Sequence, residues 1–376
     1  MPSGTYLITG VNIKDNQIIF GNYYQSKLFP HHPSVRTLFN ISPNDVKTGE
    51  QLTKGLLTFV KIYGLQFYNN DENYQTIAKD CTAININSCD ELQLENLIIT
   101  GFSTNIKISN SLNVHISKVR SISALKNNLI ATWQFPNHLD SKVGSWIFMT
   151  ECEFNGGILN QAAPNEKYAV YIQNYASITL DKCIIVGNKG GGIKFTDLTN
   201  TPQKVKDMTY IVINSCDIDS NDSFGIKGEY CRNCVITNNW ISSGRQDKVS
   251  GIDLVNCESS TISNNQVFYN GDSGIQLENC AYITVSNNIC QDNGLNESGQ
   301  RAGIRSINSV YNTLTGNVCT VNSYGYATEG VGQTIGITAD GTSDHHVISS
   351  NILYTNLDTH GYYQSGLNNL IGLNQK

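Results

Sequence analysis

The chain has 376 residues, a net charge of −6 and only 15% charged residues. No stretch is strongly basic, so nucleic acid is not an expected partner, because duplex binding depends on many phosphate contacts from Lys and Arg. No segment approaches the roughly 20 apolar residues of a membrane span, so no membrane contact is expected. The first residues, MPSGTYLITGV, lack the basic start and apolar core of a signal peptide.

The predicted elements are short strands that repeat along the chain. Segments with strand periodicity recur in chain order at residues 83–89, 105–111, 169–175, 225–231, 251–257, 274–280, 303–309 and 336–342. The repeat is clearest in residues 251–273 and 274–294, where apolar residues such as Ile252 and Leu254 alternate with polar ones and Asn or Gly breaks each run. Each repeat predicts three short strands separated by turns, which is one coil of a parallel β-helix.

The middle turn of the coil carries a recurring asparagine. It is Asn265 in residues 251–273, and we match it with Asn96, Asn239, Asn288, Asn317 and Asn351, with Val119, Cys152, Cys183 and Cys216 in the same position of other coils. Stacked asparagines can bond to one another along the axis and to turn backbone, which pairs buried polar groups. We therefore predict a structural role for this column.

The positions of the eleven cysteines do not indicate a disulfide framework. Cys89, Cys231, Cys257 and Cys280 occupy one column of the repeat, and Cys290 and Cys319 occupy another. The odd count also favours free thiols, since unpaired Cys packs as a small hydrophobe. Cys231 and Cys234 form a CxxC, but no second pair lies at zinc-like spacing. We predict reduced, buried thiols and no metal site.

We interpret the chain as one all-β domain, residues 1–376, folded as a single right-handed parallel β-helix of roughly a dozen coils. The right hand follows from the strong bias of parallel crossovers. Residues 1–55 would form the first coil and a capping loop, residues 56–366 the regular coils, and residues 367–376 the C-terminal end. Insertions lengthen the turns at residues 136–144, 156–167, 196–208, 295–302, 323–334 and 357–366.

A family resemblance is carried by residues 2–22, PSGTYLITGVNIKDNQIIFGN, and by the G-I-x-L…S-N-N repeats. They resemble the pectate-lyase-like β-helix family, in particular bacteriophage tailspikes and capsular-polysaccharide depolymerases, over nearly the whole chain. The resemblance implies the fold and a polysaccharide substrate but not the reaction, because the superfamily contains lyases, hydrolases, epimerases and non-catalytic members.

The same resemblance implies a homotrimer, for which the long late turns and the uncapped C-terminal end supply a physical motive. It also suggests a place on a phage tail, with secretion by a non-classical route as the other option. Tailspikes usually carry a head-binding domain before the first coil. A chain that starts inside that coil is expected to be either shortened or not a virion part.

Chemistry is expected at outward positions of the first strand, since inward positions are committed to packing. Read coil by coil, the third position gives Tyr171, Lys194, Lys227, Asp253, Gln276, Arg305 and Thr338, and the fifth gives Gln173, Glu229, Val255, Glu278 and Ile307. Coils are about 4.8 Å apart, so Glu229 and Glu278 should share a column roughly 9–10 Å apart, with Asp253 on the coil between them.

Paired carboxyl groups are what glycoside hydrolysis needs, one protonated as the acid and the other ionised. Mutual repulsion would raise the pKa of one of them. We predict Glu229, Asp253 and Glu278 as the acid–base set, with Lys227 and Arg305 holding substrate.

Tyr171, Lys194 and Trp133 are further candidate substrate contacts. Aromatic rings that flank a groove suit sugar rings, whose C–H faces stack on them. Trp133 and Phe135 precede the insertion at residues 136–144. The same two rings would serve equally to pack that insertion onto the coil, and the sequence leaves both interpretations open.

The predicted function is hydrolysis of a bacterial surface or capsular polysaccharide. Two alternatives remain open. One is a polysaccharide lyase that eliminates from a uronic-acid polymer, in which Tyr171, Lys194, Lys227 and Arg305 supply the base and neutralise the substrate carboxylate; the other is a non-catalytic glycan-binding adhesin. No P-loop, dinucleotide fingerprint or HExxH occurs, so no cofactor is expected. The pair His345-His346 is expected in a turn before a strand rather than at a metal.

Overall fold

A computed structural model describes residues 1–14, 16–23, 25–42, 57–69, 80–133, 145–156, 168–197, 208–242, 244, 249–295, 301–321, 332–340, 342–353, 356, 362–364 and 368–375. The insertions predicted from the sequence lie wholly or largely outside these ranges, as does the second half of the predicted N-terminal capping loop.

Regular structure in the described ranges is all strand, and no helix there is long and apolar enough to cross a membrane. The chain divides into two compact units, Met1–Lys189 (unit 1) and Gly190–Lys376 (unit 2). The interpretation as one domain stays a prediction.

Unit 1 contains β1 (Gly4–Ile8), β2 (Val11–Ile13), β3 (Gln17–Phe20), β4 (Ser26–Pro30), β5 (Thr37–Ile41), β6 (Leu57–Tyr63), β7 (Gln66–Tyr68), β8 (Thr82–Asn87), β9 (Cys89–Thr100), β10 (Thr104–Ser109), β11 (Leu112–Ile122), β12 (Asn127–Thr132), β13 (Ser145–Thr150), β14 (Glu153–Asn155), β15 (Tyr168–Gln173), β16 (Ala176–Asp181) and β17 (Ile184–Val186).

Unit 2 contains β18 (Gly191–Thr196), β19 (Met208–Thr209), β20 (Ile211–Asn214), β21 (Asp217–Asp219), β22 (Ile226–Glu229), β23 (Cys231–Arg232), β24 (Val235–Thr237), β25 (Trp240–Ser242), β26 (Ile252–Val255), β27 (Thr261–Ser263), β28 (Gln266–Phe268), β29 (Ile275–Glu278), β30 (Thr284–Ser286), β31 (Ile289–Gln291), β32 (Ala302–Ile307), β33 (Thr313–Thr315), β34 (Val318–Thr320), β35 (Ile335–Asp340), β36 (Val347–Ser349), β37 (Tyr362–Gln364) and β38 (Leu370–Ile371).

Strands at the same position in successive coils pair in parallel and in register. In unit 2 the inward column of the first strand is Ile226, Ile252, Ile275, Ile304 and Ile337, each opposite the next and all fully buried. The pattern in unit 1 is the same, with Ile84, Ile106, Leu129 and Val170 in one buried column. Apolar contacts within these columns stabilise each coil, because a single coil has no hydrophobic core of its own. The predicted all-β parallel β-helix is confirmed.

The asparagine column of unit 2 is a continuous hydrogen-bonded ladder. Asn239 Nδ2 donates to Asn265 Oδ1 over 3.0 Å, and Asn265 Nδ2 donates to Asn288 Oδ1 over 2.9 Å and to the Ile236 carbonyl over 2.9 Å. The ladder continues through Asn317, Asn351 and Asn374. The predicted structural role is therefore confirmed in this unit.

One assignment to this column was wrong. In unit 1 the residue opposite Val119 is Leu97, so Asn96 lies one position before the column. Asn96 instead takes a left-handed backbone conformation with φ of 50°, which Asn adopts more readily than most residues. A turn asparagine and a ladder asparagine look alike in the sequence, which explains the error.

All eleven cysteines are free and buried, as predicted. Burial raises the pKa of the Cys81 thiol to about 12, and it holds the pKa of Cys319 well above its ordinary value. Since the thiolate is the reactive form, these thiols are inert in the fold. Among the described residues, no group of three His, Cys, Asp or Glu side chains could hold a metal ion.

Candidate active site

The candidate site lies on the outer side of β18, β22, β26, β29 and β32 in unit 2. Parallel register places Lys194, Lys227, Asp253, Gln276, Arg305 and Thr338 in one column, and Thr196, Glu229, Val255, Glu278, Ile307 and Asp340 in the second. Both columns point away from the core because each alternates along its strand with a buried position such as Leu254. We call the side chains of Lys194, Lys227, Glu229, Asp253, Glu278 and Arg305 the charged face.

Glu229 is held between two lysines. Its Oε2 lies 3.2 Å from Lys194 Nζ and accepts a hydrogen bond from Thr196 Oγ1 over 3.1 Å, while its Oε1 lies 3.4 Å from Lys227 Nζ. Burial raises the pKa of the Glu229 carboxyl, but the charges of Lys194 and Lys227 outweigh burial and bring the pKa below its ordinary value. Glu229 is therefore ionised and held in one position.

Lys227 joins Glu229 to Asp253. Its Nζ lies 3.4 Å from Asp253 Oδ2 and 4.3 Å from the centre of the Phe224 ring. Burial lowers the pKa of Lys227, but the charges of Asp253 and Glu229 outweigh burial, so its pKa is raised overall. The ammonium therefore stays charged, and it occupies two of its three donor positions with carboxylates.

Asp253 is the most deeply buried member of the charged face, with 4% of its surface exposed. Its Oδ1 accepts a hydrogen bond from Gln276 Nε2 over 3.3 Å. Burial raises the pKa of Asp253 to about 6; Lys227 opposes this rise, and the negative charge of Glu278 adds to it. Asp253 can therefore exchange a proton near neutral pH, which a general acid must do. The sequence placed this residue on the outer side but did not predict its burial.

Glu278 is the carboxyl group on the coil after Asp253. It lies on β29, two residues beyond Gln276, which is directly opposite Asp253. One strand spacing and two residues of rise put the backbones of Asp253 and Glu278 about 8 Å apart on the diagonal. Glu278 is partly exposed, and no ion pair to it is found among the described residues.

Arg305 is paired with two carboxylates, Asp340 and Asp272, that were not predicted from the sequence. Its Nη2 and Nε donate to Asp340 Oδ2 over 3.0 and 3.3 Å, and its Nη1 lies 3.9 Å from Asp272 Oδ2. Asp340 is the fifth position of residues 336–342, so extending the column by one coil would have found it. Asp272 lies in the turn before β29, where the strand repeat gives no signal.

Two candidate substrate contacts, Trp133 and Tyr171, lie in unit 1. Trp133 is 8% exposed and packs edge-on against the fully buried Tyr175, with ring centres 5.9 Å apart. This burial favours the packing interpretation of Trp133, and its contact with a sugar stays a prediction. Tyr171 is partly exposed, donates to Gln173 Oε1 over 3.3 Å and stacks on Tyr168.

His346 is a buried structural ring. Its Nδ1 accepts a hydrogen bond from the Asn312 backbone N–H over 3.2 Å, so Nε2 carries the proton and donates to Ser306 Oγ over 3.0 Å. Burial lowers the pKa of His346 to about 4. A neutral ring that uses both nitrogens within the fold fits the expected turn position before β36.

Sequence comparison supports the fold over part of the chain. A family model described as a right handed beta helix region matches residues 204–352, which include most of the charged face. No curated protein matches the sequence.

Solved structures are similar over nearly the whole chain at low sequence identity. Tailspike protein 3 of bacteriophage CBA120 has 12% identity and a TM-score of 0.68 over 96% of this chain and 53% of its own. The periplasmic alginate epimerase AlgG has 14% identity and a TM-score of 0.60 over 99% of this chain and 78% of its own. The A-module of the mannuronan C-5 epimerase AlgE4 of Azotobacter vinelandii has 12% identity and a TM-score of 0.57 over 98% of this chain and 89% of its own.

This chain thus spans about half the length of the CBA120 tailspike protein. Identities this low establish a common fold and leave the reaction to be argued from the site itself. The chain has a right-handed parallel β-helix fold, as its sequence resemblance predicted.

Proposed function

We propose that the chain hydrolyses glycosidic bonds of a polysaccharide, with Asp253 and Glu278 as the carboxyl pair. The observation that carries this proposal is the carboxyl of Asp253, whose pKa is raised to about 6 by burial and, to a smaller extent, by the negative charge of Glu278. Structural likeness to enzymes that act on alginate and mannuronan supports a carbohydrate substrate. The substrate that we propose is a bacterial surface or capsular polysaccharide.

Asp253 is the general acid in this proposal. Near pH 6 the Asp253 carboxyl is protonated in about half of the protein molecules, and this proton can pass to the leaving glycosidic oxygen. Glu278 is the ionised carboxyl group, which either takes a proton from the attacking water or attacks the anomeric carbon itself. Backbones about 8 Å apart leave the two side chains free to reach the roughly 5–9.5 Å that separates the carboxyl groups of glycosidases. This range covers both the retaining and the inverting geometry.

Glu229 has a different role from the one its position in the sequence suggested. Its ion pairs with Lys194 and Lys227 keep it ionised and immobile, so it is a poor proton donor. We propose that Glu229 positions the two ammonium groups, and that Lys227 in turn fixes the carboxyl of Asp253. The proposed acid–base pair is thus narrower than the predicted set of three.

The charge balance of the site favours a neutral sugar at the point of cleavage. Among the described residues, the cations Lys194, Lys227 and Arg305 are each paired with a carboxylate. Asp272 and Asp340 add two further acidic groups beside Arg305. Five carboxyl groups against three cations leave little positive charge to attract a polyanion.

β-Elimination from a uronic-acid polymer is a second candidate, favoured by the likeness to alginate and mannuronan epimerases. In that reaction the cations of the charged face would neutralise the substrate carboxylate, and one of them or Tyr171 would be the base. The ion pairs described above argue against it, because each cation would first have to leave its own carboxylate.

Product analysis on a panel of bacterial surface polysaccharides, with polymannuronate included, tests the proposal. Hydrolysis releases reducing ends without ultraviolet absorbance, and proton NMR of the first product shows whether the anomeric configuration is inverted or retained. Asp253→Asn is the matched inactive control, since it removes the ionisable group at nearly constant volume. An unsaturated product would establish elimination instead, and binding without any product would indicate an adhesin.

A further inference from the structure

A second surface lies in unit 1, and the function proposed above does not use it. An open groove of about 470 Å³ is formed on β6, β9, β11 and β13. Its floor is one column of outward residues, Gln93, His115 and Phe148, which lie directly opposite one another in successive coils. Its rim is a neighbouring column, so the groove is bounded by two parallel rows of side chains.

The rim consists of residues in the left-handed backbone conformation. Phe59, Glu91, Asn113 and Trp146 follow one another from coil to coil, with φ angles of 47°, 58°, 50° and 73°. Positive φ is uncommon for bulky residues such as Phe and Trp. Four such residues in register form a repeated corner of the coil, and backbone of this kind persists only where the surrounding structure fixes it.

The groove combines aromatic surface with amide groups. Trp146 is 51% exposed, which is unusual for the largest apolar side chain. The ring of His115 stacks on Phe148, with centres 5.0 Å apart and planes 20° apart. The amide of Asn113 is fixed by a hydrogen bond from its Nδ2 to Asp90 Oδ1 over 2.6 Å. Concave sites with aromatic walls and a few polar groups are typical of small-molecule and sugar recognition.

Charge narrows the class of ligand. Of the lining residues in the described part of the chain, Glu91 is the one carboxylate and none is Lys or Arg. The nearest cation in the floor column, Lys61, is paired with Glu95 at 2.8 Å. A polyanionic ligand would meet Glu91 without a compensating cation, whereas hydroxyl groups can donate to its carboxylate and bond to the amide of Gln93.

We propose that this groove binds an uncharged pyranose segment of a glycan by stacking it on Trp146, beside the stacked rings of His115 and Phe148. We propose the site for binding, because glycoside hydrolysis needs two carboxyl groups and Glu91 is the one carboxyl group among the described residues that line the groove. The proposal stands independently of the charged face, since the two surfaces share no residue. It would hold even for a chain without hydrolytic activity.

The test uses Trp146→Ala, with Trp240→Ala as the matched control. Trp240 is a similarly exposed Trp, at 45%, on β25 of unit 2. Alanine takes up the left-handed backbone at residue 146 with a steric cost like that of Trp, because both carry a Cβ. All proteins carry Asp253→Asn and Glu278→Gln so that no glycan is cut, and circular dichroism confirms the fold.

Binding is measured on an array of immobilised neutral and acidic bacterial polysaccharides. The parent protein should bind at least one neutral glycan, and Trp146→Ala should weaken that binding about tenfold or more, as truncation of a central aromatic anchor does. Trp240→Ala should leave the Kd within about twofold. His115→Ala truncates an exposed side chain and disturbs the fold less than Trp146→Ala does. It should weaken the same binding.

Two results would overturn the proposal. One is a parent protein that binds no neutral glycan on the array, and the other is equal neutral-glycan binding by Trp146→Ala and Trp240→Ala. Failure of hydrolysis in the product analysis, with Trp146-dependent binding intact, would reject the proposed reaction and leave this binding site standing.

Discussion

Replacing Asp253 with Asn should stabilise the fold at neutral pH while it stops catalysis. The carboxyl of Asp253 is 4% exposed, and the ion pair with Lys227 at 3.4 Å does not offset its burial. Its pKa is therefore about 6 instead of 3.8. A raised pKa means that the folded chain holds this proton more tightly than the unfolded chain does. The stability that Asp253 contributes is complete below about pH 4 and is lost as the pH rises through 6.

The magnitude follows from the size of the shift. About two pKa units at 1.36 kcal/mol each give on the order of 3 kcal/mol. Asn has nearly the same volume and no charge, and it can still accept the hydrogen bond from Gln276. Lys227 keeps Glu229 as a partner at 3.4 Å. The free energy of unfolding of Asp253→Asn should thus equal that of the wild type near pH 4 and exceed it by about 3 kcal/mol at pH 8.

Urea unfolding at several values between pH 4 and pH 8 measures this difference. Fluorescence of Trp240 on β25 is a suitable probe, because coils in a solenoid depend chiefly on their nearest neighbours and β25 pairs with the coil that holds β26. Asp222→Asn, at a partly exposed carboxyl in the turn before β22, serves as the control. If Asp253→Asn and the wild type change in parallel with pH, burial does not control the ionisation of Asp253 and the reasoning fails.

Three further predictions concern the interior of the fold. Asn265→Ala should lower the free energy of unfolding by about 3 kcal/mol, because it removes the side-chain acceptor of the buried Asn239 backbone N–H and Nδ2 and the side-chain donor to the Ile236 carbonyl. The exposed Gln266→Ala should change urea denaturation little. His346→Gln should reduce the loss of stability at acid pH. The wild type has a His346 pKa lowered to about 4, so its free energy of unfolding falls as the pH falls from 6.5, on the order of 2 kcal/mol by pH 4.5. An equal fall in Tm with decreasing pH for variant and wild type would contradict this. A thiol reagent should find few reactive groups in the native protein and nearly eleven after denaturation, and a denatured count near one would mean disulfides.

The repeat made most of the fold predictable. A side-chain period of two, broken by Asn and Gly, specifies strands with one buried face, and the column of Ile226, Ile252 and Ile275 is the result. Register follows from the same pattern, so Glu229, Asp253 and Glu278 could be placed on neighbouring coils in advance.

The interactions within the site could not be predicted in the same way. Glu229 could have paired with either of two lysines, and it pairs with both, because the choice depends on side-chain conformations that register alone does not set. The burial of Asp253 depends on its neighbours in space, so its raised pKa has no signal in the repeat. The groove beside Trp146 depends on left-handed backbone at four successive coils, which hydrophobic periodicity does not reveal.

The rates of three amide variants test the central claim most directly. On a polysaccharide that the wild type cleaves, Asp253→Asn and Glu278→Gln should each lower kcat by on the order of 10²–10⁴. Glu229→Gln should lower kcat much less and act mainly on KM, because it changes the positions of Lys194 and Lys227 but supplies no proton. If all three variants keep near-normal turnover with the fold intact, the charged face is not the active site.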